Sequence, residues 1–477
     1  MKMYALTTLL MLVCWSSNAS IQKDSILTNP YQSEFDLAYN QYPDIPRGLL
    51  EAVSFTNTRF RHITPFEQEG CSGIPRSLSL FGLTYDGKGY FRENLRFISQ
   101  LSSTQANDII ADPTISIDAY AKAYDALLDS FNLRGTAVED QSIILVSLSE
   151  IPLDTNSAND FALSAQLYSI YSFMNDADYQ QAYGFPSWQI DMERIFGEAN
   201  LQVLSAPMVG LNGSSIQTPT GGSYVPMMHR SPDYPPGIWN PAPTCNFSSR
   251  NGTAVSAITI HTIQGSYAGA ISWSQNCSSN VSYHYVVRSA DGQVTQMVYE
   301  SDKGWHVGSA NPYTIGYEHE GFVSDPSWYT TAMYNSSAAI SRDVIQSGYG
   351  INPLRTYSGP ATAGLNTLGG CTKIKGHQHY PNQTHTDPGI NWDWERYYRL
   401  INDNPNITTE TASTGTFYDS GGPSGNYSDD EREVYTIAPA GATSISITFN
   451  QFDLEANWDY MYVYDGGDIN DPLIGTF

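Results

Sequence analysis

A multidomain chain is predicted, with helices first, a mixed α/β segment in the middle and a β-rich end. Three observations carry this. At roughly 150 residues per domain, a chain of 477 allows about three domains. Apolar residues recur at three-four spacing before residue 206, then run together or alternate after residue 244. Between them Pro226, Pro232, Pro235, Pro236, Pro241 and Pro243 interrupt any regular element. Lys and Arg total 23 against 48 Asp and Glu, a net charge of −25. That balance excludes nucleic acid as a partner, because backbone binding needs clustered cations. Charged residues make up 15% and hydrophobic ones 41%, with 33 Tyr, which excludes long disorder.

Lys2 precedes an apolar run from Leu6 to Trp15, and Ser17-Asn18-Ala19 offers small residues for cleavage. Residues 1–19 therefore read as a secretory signal cut near Ala19. The run is too short to anchor in a bilayer. Cys14 would suit a lipoprotein signal, but Val13 stands where a small residue is expected. No later stretch is apolar enough to span. The expectation is an exported monomer, secreted or periplasmic, without a stable membrane anchor.

Residues 20–205 read as helical. Pro46 to Val53 looks like a helix start with Pro in the first turn. Ile117, Tyr120, Ala121, Tyr124 and Leu128 share one helical face, as do Leu163, Leu167, Ile170 and Met174, and both sets read as core. Residues 206–244 form a Pro-rich linker. Residues 245–402 mix strands and helices. Strands are expected over Ala257–His261, Ser282–Val287, Val294–Val298 and Tyr313–His319, with a turn at Asp291-Gly292 and a helix over Ala332–Gln346. Residues 403–413 are a Thr-rich linker. Residues 414–477 carry eleven carboxylates against one Arg, and alternate in Ser444–Phe449 and Tyr460–Tyr464.

Export leaves Cys71, Cys245, Cys277 and Cys371, which suits disulfides; three pairings are open. Cys245–Cys277 is preferred, since the two flank one short strand-helix unit. No C-x-x-C pair exists, so a thiolate zinc site is not expected.

Seven of the nine histidines fall in residues 245–402. A hydrolytic zinc site wants three N/O ligands on rigid elements and one open position. His261 ends an apolar strand and is a first candidate. His377 and Asp387 offer two more, ten residues apart on one irregular segment. Asp387 precedes Pro388, which holds it extended.

Six pieces occur in order: Ile258-Thr259-Ile260-His261-Thr262, Tyr283-His284, Trp305-His306, Ile315-Gly316-Tyr317-Glu318, Gly376-His377 and Thr386-Asp387-Pro388-Gly389. Together they resemble the zinc-dependent N-acetylmuramoyl-L-alanine amidases, the fold of phage lysozymes and peptidoglycan recognition proteins. The resemblance implies a mixed central sheet with flanking helices, and Zn²⁺ bound by His261, His377 and Asp387. Two neutral imidazoles and one carboxylate would leave a site charge of about +1 and bring the pKa of water toward about 7. Glu318 matches the family's catalytic carboxylate, a general base whose pKa desolvation would raise. Glu320 shares its strand face and is the natural decoy. Tyr283 matches a residue that some relatives place at the oxyanion. His385 stands where relatives usually carry Lys or Thr, and would serve the tetrahedral intermediate when protonated. His284, His306 and Trp305 fit a supporting layer or the groove wall, and His379 is a decoy for His377.

Two further resemblances frame this segment. Ile45-Pro46 to Phe60 is similar to the first core helix of goose-type lysozymes, with Asn57 at the catalytic Glu position; an amide cannot act as a general acid there. Thr414–Gly422, Phe452-Asp453-Leu454-Glu455, Asp459-Tyr460 and Tyr464-Asp465-Gly466 resemble a CUB domain, and would supply about half of its β-sandwich. Glu455 and Asp459 match two of that family's Ca²⁺ positions. The implied function is hydrolysis of the amide between N-acetylmuramic acid and L-alanine in peptidoglycan. The alternative is a non-catalytic peptidoglycan-recognition protein. A third, an active lytic transglycosylase, is opposed by Asn57. Peptidoglycan is itself acidic, so binding must come from local polar and aromatic contacts.

Overall fold

The computed structural model describes residues 26–205, 216–217, 223–224, 233–402, 406–427, 433–455, 459–466 and 473–477. The expected signal at 1–19 and most of the 206–244 linker lie outside these residues. No helix among the described residues is long and apolar enough to cross a membrane.

The first part is helical. It includes α1 (Leu49–Thr58), α2 (Pro113–Ser130) and α3 (Ser157–Asn175). Both expected apolar faces are buried, on α2 and on α3. Asp112 caps α2 by accepting from the amides of Thr114 and Ile115, with Pro113 in the first turn where its missing N–H costs nothing. The expected start at Pro46 needs correction. Gly48, with φ +93°, is the N-cap of α1, and Pro46 sits in the turn before it.

The central part is built on a six-stranded sheet. Its strands are β1 (Ile238–Trp239), β2 (Ala257–Thr262), β3 (Tyr285–Val287), β4 (Val294–Gln296), β5 (Thr314–His319) and β6 (Ile374–Gly376). Their order across the sheet is β6-β2-β5-β3-β4-β1, parallel except for the β3–β4 hairpin. All six residues of β2 and of β5 are buried, as a parallel strand covered on both faces requires. Helices α4 (Tyr267–Trp273), α5 (Thr331–Gln346) and α6 (Trp394–Asn402) flank the sheet. Thr330 caps α5 through the Met333 amide. Gly292, at φ +73°, makes the β3–β4 turn.

The helical part and the sheet share a core. One apolar cluster joins α1–α3 to Ile263, Tyr267, Ile271 and Trp273. Buried hydrogen bonds reinforce it: Ser272 Oγ donates to Asn159 Oδ1 at 2.7 Å, and Gln293 Nε2 to Val203 O at 2.8 Å. Cys245 and Cys277 form the preferred disulfide, while Cys71 and Cys371 are free. The bridge closes a separation of 32 residues, so Cys277→Ser is expected to cost about 3–4 kcal/mol by loop entropy. A denaturant titration checks this, and an unchanged midpoint would mean that packing alone holds the segment.

At the C-terminal end β7 (Asn406–Glu410) pairs in parallel with β8 (Glu433–Ile437), and β9 (Tyr462–Tyr464) antiparallel with β10 (Leu473–Thr476). The expected strand at Ser444–Phe449 does not form. Ile445, Ile447 and Phe449 stay 49%, 42% and 42% exposed, with no sheet for their alternating face to pack on among the described residues.

Candidate active site

Strand register gathers the site at the C-terminal ends of β6, β2 and β5, where open α/β sheets hold their ligands. His261 on β2 pairs directly with Glu318 on β5. Gly376 ends β6 beside Ile260, so His377 follows at the level of His261. The segment carrying Asp387 is laced onto this edge. Gln378 N donates to Asp387 O at 3.0 Å, and Gly389 N to Gln378 Oε1 at 3.1 Å. Gly376 permits the approach, since a Cβ there would meet Pro388 Cδ at 2.4 Å.

His261 Nδ1 lies 3.0 Å from Asp387 Oδ2, and His377 Nδ1 lies 3.4 Å from Asp387 Oδ1. All three residues are buried. Neither His377 Nδ1 nor Asp387 Oδ1 has a hydrogen-bond partner among the described residues. The far side of each ring is occupied. His377 Nε2 donates to Gln383 Oε1 at 2.7 Å. His261 Nε2 donates to His306 Nδ1 at 3.0 Å, and the proton on His306 Nε2 then faces Thr314 Oγ1 at 3.4 Å. These contacts on Nε2 are the ones that would leave each Nδ1 free to face a cation; in the present arrangement His261 Nδ1 hydrogen-bonds Asp387 Oδ2 at 3.0 Å. A Cβ on Gly316 would come 2.4 Å from His306 Nδ1, so glycine makes the room for that ring.

Burial drives the His261 imidazole down to about 4, which keeps it neutral as a ligand must be. Burial also opposes ionisation of Asp387, but His377 and His261 outweigh it and hold the carboxyl below its ordinary range. Cys71 joins the group. Its Sγ lies 3.5 Å from His261 Nδ1, and ligand atoms of Cys71, His261, His377 and Asp387 all fall within 4.8 Å of one another. These side chains form a group able to hold a metal ion. The expectation of no thiolate at the site rested on local C-x-x-C spacing, and a cysteine 190 positions from His261 escapes that test.

Glu318 is 1% exposed, and burial, then Asp387, push its carboxyl well above the ordinary range. Its Oε1 accepts from Cys71 Sγ at 3.5 Å, and its Oε2 has no partner among the described residues. Glu320 is spent structurally, accepting from Tyr267 N at 2.9 Å and Ser289 N at 2.8 Å. His379 is likewise occupied, its Nδ1 accepting from Gly376 N at 3.1 Å. Tyr283 is buried and donates its hydroxyl to Ala270 O on α4. The His385 ring lies 5.5 Å from that of His377. His284 Nδ1 accepts from Gly316 N at 3.0 Å, and Trp305 Nε1 donates to Ser248 Oγ at 3.2 Å. Asn57, on α1 and not among the converging ligand residues, donates to Phe81 O at 2.9 Å. Gln383 and Cys71 are the neighbours that sequence reasoning missed; neither carries a spacing signal.

The profile of the N-acetylmuramoyl-L-alanine amidase family matches residues 251–390, and that of the CUB domain matches residues 407–477. N-acetylmuramoyl-L-alanine amidase A of Achromobacter lyticus is 40% identical over 171 residues, 36% of this chain and 96% of that protein. The chain belongs to this amidase family. The Achromobacter amidase is too short to hold both a helical region and an amidase region of the sizes found here. The 1,6-anhydro-N-acetylmuramyl-L-alanine amidase AmpD of Salmonella typhimurium is 32% identical over 129 residues, 25% of this chain and 57% of that protein. The match thus spans little more than half of AmpD. A crystal structure of the Staphylococcus aureus hydrolase AmiA with its ligand aligns at 21% identity over 33% of this chain and 77% of that one, with a TM-score of 0.26.

Proposed function

We propose that this amidase hydrolyses the amide joining N-acetylmuramic acid to L-alanine in peptidoglycan, with His261, His377 and Asp387 holding Zn²⁺. The observation that carries the reading is the buried, partnerless Oε2 of Glu318 beside the His261 and His377 Nδ1 atoms that converge on Asp387. The residues fit zinc. His377 Nδ1 and Asp387 Oδ1 are orphaned buried atoms that a cation would satisfy. Tetrahedral edges between bonds of about 2.0 Å are about 3.3 Å, close to the 3.0 and 3.4 Å found here. When bound, zinc supplies Lewis acidity at the scissile carbonyl and lowers the pKa of water.

The chain's own groups do the rest. Glu318 takes a proton from the attacking water and passes it to the leaving L-alanine amine. Its burial suits that double duty, since desolvation raises its proton affinity above that of an ordinary carboxylate. His385 borders the open side by His377 and donates to the oxyanion. Tyr283 reaches the reaction only by releasing Ala270 O. The chain divides into a helical region at 20–205, an amidase region whose sheet already takes in Ile238–Trp239 of the expected 206–244 linker, and a C-terminal region whose pairing begins at Asn406–Glu410 within the expected 403–413 linker; it acts outside the cytoplasm. Glu455 and Asp459 on the C-terminal loops supply two carboxylates toward a Ca²⁺; in the present arrangement Asp459 Oδ2 accepts from Tyr427 at 2.6 Å.

Purified sacculi test the function. Incubation should release N-terminal L-alanine amine, and a chelator should abolish that release until zinc is restored. Binding to sacculi without amine release would favour the non-catalytic recognition protein, and new reducing ends would favour glycan cleavage by the helical region.

A further inference from the structure

We propose that Cys71 is a fourth protein ligand of the metal centre and that it holds the full chain in a latent form. This rests on the metal site proposed above and adds its regulation. Cys71 belongs to the helical region, yet its Sγ stands 3.5 Å from His261 Nδ1. A tetrahedral edge between bonds of about 2.3 Å to sulfur and about 2.0 Å to nitrogen is about 3.5 Å. Two orphaned acceptors, His377 Nδ1 and Asp387 Oδ1, lie in the same group of converging ligand atoms. The thiol is available, because Cys245 and Cys277 pair with each other and Cys371 is exposed elsewhere.

The segment carrying Cys71 is seated on the amidase part at several points. Gln264 Nε2 donates to Gln68 O at 3.0 Å, and Thr386 Oγ1 to Gln68 Oε1 at 3.0 Å, next to Asp387. Trp273 Nε1 donates to Ser72 O at 2.9 Å, and Ser324 Oγ to Glu67 Oε1 at 2.6 Å. Gly70 lies so close that a Cβ would meet Ile263 O at 2.4 Å. Residues 67–72 are therefore a strap fitted across the site rather than a passing loop.

Catalytic zinc sites keep one position open, whereas closed sites with four protein ligands are structural. Cys71 closes the fourth position. On ligation the thiol gives its proton to Glu318, whose Oε1 is 3.5 Å from Sγ, and so occupies the general base as well. Substrate gains the centre only when the strap lifts and the sulfur departs with a proton. Observed activity is then the open fraction multiplied by the intrinsic activity.

Cobalt substitution of the full chain tests this, comparing wild type with Cys71→Ser and Cys71→Ala. The wild-type Co²⁺ form should show a near-ultraviolet thiolate-to-cobalt charge-transfer band together with visible d–d bands. Both variants should lose the charge-transfer band, keep the d–d bands, and in their zinc forms release alanine amine from sacculi at least about tenfold faster. Visible bands without a charge-transfer band in the wild type would overturn the ligand while leaving the His-His-Asp site intact. Loss of the band with unchanged or lower amine release would overturn the latency. Absence of cobalt binding in all three proteins would overturn the metal site itself, and the proposal with it.

Discussion

Glu318→Gln, made in the Cys71→Ser background, is expected to lower kcat/KM for alanine-amine release by about 10²–10⁴. That is about 3–5 kcal/mol of transition-state stabilisation. Glutamine keeps the size and polarity of the side chain but cannot take a proton. Glu318 is buried opposite His261, and its Oε2 has no competing partner among the described residues. Metal content should stay near that of the parent, because Glu318 is not among the converging ligand atoms. Stopped assays on defined muropeptides, paired with metal analysis, check both halves. Activity within about twofold of the parent would move the base elsewhere, with His385 the next group to test.

Asp387→Asn should weaken zinc binding by at least about 100-fold, judged from losses of 10–100-fold for outer partners alone. Asp387 is the anionic member of the set and touches both imidazoles, at 3.0 and 3.4 Å. The amide removes the charge that offsets the cation and also alters the histidine protons. Free zinc at about 100 times its Kd stabilises a binding-competent fold by about 2.7 kcal/mol. For a domain of this size that is a rise of about 5–10 °C in Tm. Wild type should show the rise on zinc addition and Asp387→Asn should not. An equal rise in both would take Asp387 out of the ligand set.

Much of this site was legible because its residues sit on elements with strong local signals. Ala257–His261 is a short β-branched run ending in His261, and the observed β2 differs from it by one residue. Glu318 follows from a strand that the same patterning finds, whereas the three-residue strand before His377 was read as irregular, and the convergence of the two follows from parallel register. The choice between Glu318 and Glu320 was not legible from alternation, since both share a face. What separates the two in the fold is that Glu320 meets backbone amides, Tyr267 N and Ser289 N, and that depends on loops packed over the strand end. Cys71 was illegible for a related reason. Spacing rules for metal sites see ligands on one segment, whereas this thiol arrives from a helical region joined to the sheet by a shared core. The C-terminal strand expected at Ser444–Phe449 shows the converse, because alternation alone does not make a strand without a partner edge.

Two imidazoles and an aspartate from distant segments are proposed to hold one zinc beside Glu318. Anomalous diffraction at the zinc edge, on crystals grown with one equivalent of zinc, tests it most directly. A single strong peak is expected, bounded by His261 Nδ1, His377 Nδ1 and the Asp387 carboxylate. Zinc bound only elsewhere on the chain, or none retained, would contradict it.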